Sequence, residues 1–162
     1  MTSTASNPAR SDRQTGPNEE ARAARLRAAN INPRTGLATD YLNHFNEAIM
    51  LLEMIPDIPE CAEDFLLWYP LSYREHFMAS HFKAREAYES ADEHIRVEFD
   101  NITGAMTSIL TAVGAAMREV RQDKTRARLA EQATGWVKPL VALAGGIING
   151  GAEADVDYIM TH

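Results

Sequence analysis

"EHIRVEFDNITGAMTSILTAVGAAMREV" (residues 93–120) decides the fold class. Ile95, Phe99, Ile102, Met106, Ile109, Val113, Ala116 and Val120 alternate spacings of four and three without a miss, which is a heptad stripe on a helix and excludes a strand. Asp92 stands where an N-cap is needed. An apolar seam of this length suits a bundle or a coiled-coil-like contact.

Downstream, Leu129, Ala133, Trp136, Leu140, Leu143, Ile147 and Gly150 repeat the spacing out of register with the first stripe. The chain therefore turns near residues 122–124, and a further helix runs back along the first. Pro139 predicts a kink over residues 135–139, or a split into two helices, because it lacks an N–H and crowds the carbonyl of Gly135. Ala142, Gly146 and Gly150 form a small-residue row that permits close helix contact. The closing "AEADVDYIMTH" is short and acidic and adds at most one turn.

Upstream, Ser72 and Glu75 have capping-box spacing and start a helix expected to continue to about residue 89. An earlier helix opens at Thr39 or Asp40 and stops at Pro56. On it Tyr41, Phe45, Ala48, Leu52 and Ile55 share a face, while Met50 and Met54 project from the polar back. The connector between these helices carries three prolines and the cluster Phe65 to Tyr69, including Trp68, so it packs down, with a short helical turn within residues 60–68. The expected architecture is all-α: an antiparallel bundle of about four main helices over residues 37–162.

Residues 1–36 are rich in Ser, Thr, Asn, Arg and Pro and nearly free of large apolar side chains, a composition that predicts disorder, with a transient helix over residues 18–29. Six Arg against Asp12, Glu19 and Glu20 give this tail a net +3, so the body carries −10 of the chain's −7 total. A basic tail on an acidic body does not suit a domain that lies on nucleic acid. With 162 residues, 45% hydrophobic, the chain holds one ordinary core. Cys61 is its single cysteine, which excludes an internal disulfide and fits a reducing compartment, so a cytoplasmic protein is expected. No secretory h-region opens the sequence, and the most apolar run, residues 137–148, falls short of the roughly 20 residues that cross a bilayer.

The chemistry-bearing candidates are histidines. Antiparallel pairing of the first three helices would gather His44, Glu47, His81, His94 and Glu98 at one end. Imidazole and carboxylate on facing helices suit iron, manganese or zinc, although no Glu-x-x-His pair of the ferritin-like kind occurs. The plainer reading makes His81 a core histidine in a polar row with Arg74, Met78 and Arg85, leaves His76 facing solvent, and pairs His94 with Glu98 at the surface. No glycine loop with a phosphate-binding lysine is present, and Cys61, a single cysteine among apolar and acidic residues, reads as inert rather than nucleophilic. The leading expectation is a non-enzymatic regulatory or adaptor bundle that binds a protein partner or itself through helix faces, with Met50, Met54 and Trp68 as its contact surface. The alternative is a bundle that binds a divalent metal.

Overall fold

The computed structural model describes residues 16–77 and 82–150, without the side chains of residues 82–85. The elements are α1 (Pro17–Ala28), a 3-10 turn (Thr39–Tyr41), α2 (Leu42–Met54), α3 (Cys61–Leu67), α4 (Tyr73–His76), α5 (Phe82–Ser90), α6 (Glu93–Glu119) and α7 (Asp123–Ile148). Among the described residues the β-type pairing is an isolated bridge between Ile31 and Ala38. The protein is all-α.

The Asp92 carboxylate starts α6 by accepting from the backbone N–H groups of His94 and Ile95 at 2.8 and 3.4 Å. Three residues after α6 ends, α7 begins, and the two pack along their lengths as an antiparallel hairpin. The line of α6 that is fully buried is Phe99, Thr103, Met106, Leu110, Val113 and Met117. Ile95, Ile102, Ile109 and Ala116 lie half-buried beside it. The core face is thus rotated by about 50° from the stripe of strongest hydrophobicity, since i+4 rather than i+3 neighbours of Phe99, Met106 and Val113 point inward.

α7 shows the same displacement. Ala130, Ala133, Val137 and Ala144 are fully buried, whereas Trp136 and Leu143 are 52% and 39% exposed. Small side chains let the neighbouring helices approach, and α2 occupies the flank of α7 opposite Trp136. α2 runs antiparallel to α7: its C-terminal part is tied by Glu53 Oε2 to Lys138 Nζ at 2.7 Å, and its first residue, Leu42, sits beside Gly145. The expected split at Pro139 does not occur, as α7 is one helix from Asp123 to Ile148. Gly135 and Pro139 are exposed, so water can serve the carbonyl that the missing N–H leaves without a partner.

The expected second helix is interrupted. The Ser72–Glu75 capping box forms in full, but α4 lasts one turn before Phe77, and α5 begins at Phe82. The capping expectation for α2 also fails in detail, because neither Thr39 nor Asp40 makes a side-chain cap and the chain enters through a 3-10 turn. Along α2 and its two flanking residues, Tyr41, Phe45, Ala48, Leu52 and Ile55 are buried as one face.

The structure draws the start of the packed chain upstream of residue 36. Leu26, Ile31 and Thr35 are buried, and residues 32–37 form a turn in which Asn32 donates to the Leu37 carbonyl at 2.9 Å and Gly36 to the Asn32 carbonyl at 2.7 Å. Gly36, at φ +74°, passes beneath α5 so closely that a Cβ there would lie 2.7 Å from the Ala87 oxygen. Thr35 Oγ1 donates to the Ile148 carbonyl at 2.6 Å, serving an oxygen that the end of α7 would leave without an intrahelical partner. Composition averages over 36 residues conceal two apolar anchors and one hydrogen-bonded turn. Of the expected disordered tail, residues 1–15 lie outside the described residues, as do residues 151–162.

Candidate functional site

Three places are candidates: the histidines, a tyrosine-lined cleft, and the outer face of the α6–α7 hairpin. His44 is held by the connector that follows α3. The Leu71 N–H donates to its Nε2 at 3.0 Å, so that nitrogen is an acceptor and the imidazole proton sits on Nδ1. Trp68 stacks on the ring at 4.7 Å, and the indole Nε1–H donates to the His44 carbonyl at 3.0 Å. Burial pushes the His44 pKa below its usual value, the neighbouring His76 adds to this, and Glu47 opposes it. The expected solvent-facing His76 is instead half-buried, its ring 6.1 Å from His44 and 5.5 Å from Tyr41.

His94 and Glu98 form an exposed pair at 3.5 Å on the first turns of α6. Glu47 is exposed on α2. His81 lies outside the described residues. Among the described residues no three His, Cys, Asp or Glu side chains gather as a ligand set. One imidazole nitrogen of His44 is taken by a backbone N–H, and the His94 side chain, 85% exposed, reaches into solvent. Of the expected contact residues, Met50 and Met54 are 54% and 37% exposed on the back of α2, while Trp68 is turned inward onto His44.

The cleft, of about 540 Å³, lies between the α4 capping turn and α6 and is lined by Tyr41, Tyr73, Tyr88, Asp100, Thr103 and Thr107 among others. Each phenol is committed. Tyr41 donates to the Leu71 carbonyl and Tyr88 to Asp100 Oδ2, both at 2.6 Å, and Tyr73 accepts from the Ala38 N–H at 2.9 Å. Burial raises the pKa of all three. Tyr73 is pushed up to about 12, with the Ala38 N–H opposing the shift. Burial and the Asp100 charge hold Tyr41 higher still, and burial and the bond to Asp100 do the same for Tyr88. These groups stay protonated near neutrality, so none of the phenols is poised as a base or nucleophile. The arrangement fastens α2, α4, α5 and α6 together.

The third place is built by the hairpin's rotation. At about 100° per residue, Asp100, Gly114 and Arg118 fall on one flank of α6, and they meet Tyr88 of α5, Phe65 of α3 and the Leu66 carbonyl respectively. Lys138 and Gly145 on the matching flank of α7 meet α2. α2, α3 and α5 therefore all lie against one side of the hairpin. On the other side Ala105 and Ala112 of α6 and Trp136 and Leu143 of α7 are exposed, while Ile102, Ile109, Ala116 and Leu129 are half-buried, the two isoleucines and Leu129 packed against the edge of the core. No charged residue occurs in α6 between Asp100 and Arg118, nor in α7 beyond Glu131 except Lys138. Part of the sequence's heptad stripe therefore lies at the edge of the core instead of in its interior. The signal for this was present as two overlapping stripes on α6, of which the weaker, with Thr103 and Gly114, became the interior.

No family model, curated protein or solved structure matches this chain. Among the described residues no helix is long and apolar enough to cross a membrane.

Proposed function

We propose that the chain is a cytoplasmic, non-enzymatic helical-bundle protein that acts as a regulatory or adaptor protein through helix-mediated contact with protein. One observation carries this reading: the uncharged outer face of the α6–α7 hairpin, on which Trp136 is 52% and Leu143 39% exposed. In a chain with 24% charged residues, a surface two helices wide without a charge along its middle is a candidate contact site. Trp is among the side chains that concentrate binding energy at interfaces. The tyrosine cleft supports the same reading, since its hydroxyls are occupied in holding helices together.

Site-specific photocrosslinking in the native cell tests it. A crosslinking residue placed at Trp136 or Leu143 should give discrete protein adducts, and the same residue at Glu60, exposed on the other side, should not. Equal adduct yields at all three positions would remove the reading.

A further inference from the structure

Three hydroxyl groups of the tyrosine cleft have given their protons to the protein. Tyr41 donates to the Leu71 carbonyl and Tyr88 to Asp100 Oδ2, both at 2.6 Å, and Thr103 Oγ1 donates to the Asp100 carbonyl at 3.3 Å. A hydroxyl whose proton is committed can only accept, so these oxygens offer lone pairs to whatever enters. Ser72 and Tyr73 are placed the other way, their oxygens accepting from the N–H groups of Glu75 and Ala38. Two carboxylates, Glu75 and Asp100, stand exposed on the lining, and the guanidinium there, Arg74, is bonded to Glu89. Burial, and after it the charges of Asp100 and Glu75, raise the Tyr41 pKa, so the Tyr41 oxygen lies in a negative field. Pro70 and Leu71 add an apolar wall.

The space itself is an independent observation. Gly104 lies in the middle of α6, where a glycine weakens a helix, yet a Cβ there would meet nothing within 4 Å. Packing within the fold does not require this glycine. A larger residue would occupy the cleft, which Gly104 lines and whose volume of about 540 Å³ suits a small organic molecule.

We infer that the cleft binds a small primary ammonium compound with an apolar body, its N–H groups on the Asp100 carboxylate and the accepting hydroxyls, its hydrocarbon against Pro70 and Leu71. An ammonium group has three donors and no acceptor, which matches this lining; a carboxylate or phosphate would meet like charge and lone pairs. The site is separate from the protein-contact face and stands without it.

Titration of the full chain with phenethylammonium, followed by amide NMR, is the test. The Gly104 and Ser72 signals should move with a dissociation constant of about 1 mM or tighter. Phenethyl alcohol, the neutral isostere, should bind at least about 10-fold more weakly, and hydrocinnamate should leave both signals in place. Asp100→Asn keeps an acceptor for Tyr88 and removes the charge, so it should weaken phenethylammonium binding about 10-fold. Because that change touches a bond between α5 and α6, Gly104→Leu provides a second arm. Leucine is the better helix former and has room at this position, so the melting temperature should hold or rise while binding falls at least about 10-fold. Equal affinity for the alcohol and the ammonium would overturn the choice of a cation. Unmoved signals in wild type at about 10 mM phenethylammonium, or wild-type affinity in Gly104→Leu, would overturn the site.

Discussion

Replacing Arg126 with Met should be among the most damaging single changes in this protein. Arg126 is a buried charge, 7% exposed, on the second turn of α7. Its Nε donates to the carbonyls of Met117 and Val120 at 3.0 and 3.1 Å, Nη2 donates to Met117 at 2.6 Å, and Nη1 meets Glu63 Oε2 at 3.1 Å. The guanidinium thus closes the C-terminus of α6, where carbonyls lack intrahelical partners and the helix dipole favours a cation. Met keeps most of the aliphatic packing and removes the donors. Leaving buried carbonyls without partners costs about 1–3 kcal/mol each, partly relieved by water near Val120, so a loss of about 3–4 kcal/mol is expected. Against a typical stability of 5–15 kcal/mol that is a large fraction. Glu63→Gln is the control: Glu63 is 72% exposed and its pair is screened, so it should cost below about 1 kcal/mol. Urea unfolding by circular dichroism measures both. If Arg126→Met costs less than 1 kcal/mol, or no more than Glu63→Gln, the guanidinium does not close α6 as argued.

Two further outcomes follow from the connector and the N-terminal turn. The His44 pKa is lowered by folding from the usual 6.5, so the unfolded chain takes up its proton first; stability should be full above about pH 6.5 and fall as pH drops toward the folded value. His44→Gln, which keeps an acceptor for the Leu71 N–H, should flatten the urea midpoint between about pH 7.5 and 5.5, and an unchanged slope would exclude His44 as the source. Gly36→Ala should destabilise by more than about 1 kcal/mol, because it places a Cβ against the Ala87 carbonyl at a positive φ; a neutral result by thermal unfolding would mean that the turn is not docked beneath α5.

The long helices were legible because heptad spacing over more than twenty residues has no competing explanation, and Asp92, Ser72 and Glu75 mark their starts by local chemistry. Which face points inward was not legible. On α6 the Ile102 and Ile109 stripe outscores Thr103 in hydrophobicity, yet Thr103, Leu110 and Met117 are the residues buried, with Gly114 against Phe65 of α3 beside them. On α7 Ala130 and Ala144 are inside and Trp136 is outside. Met50 and Met54 stand exposed on the back of α2, apart from its buried face. The histidines resisted prediction for another reason. What holds His44 is a backbone N–H from Leu71, 27 residues away, and no side-chain spacing records such a partner.

The hydrogen bond from Thr35 to the Ile148 carbonyl joins positions 113 residues apart. Closing a loop of that length costs about 4 kcal/mol of chain entropy, whereas the α6–α7 turn closes over three residues. The hairpin can assemble early from near neighbours, but this clip must wait until the rest of the chain is in place. With α2 already packed on α7, redocking needs only the short link from Thr35 to Leu42 to close, so the N-terminal segment should open and reclose on α7 many times for each complete unfolding of the hairpin beneath it.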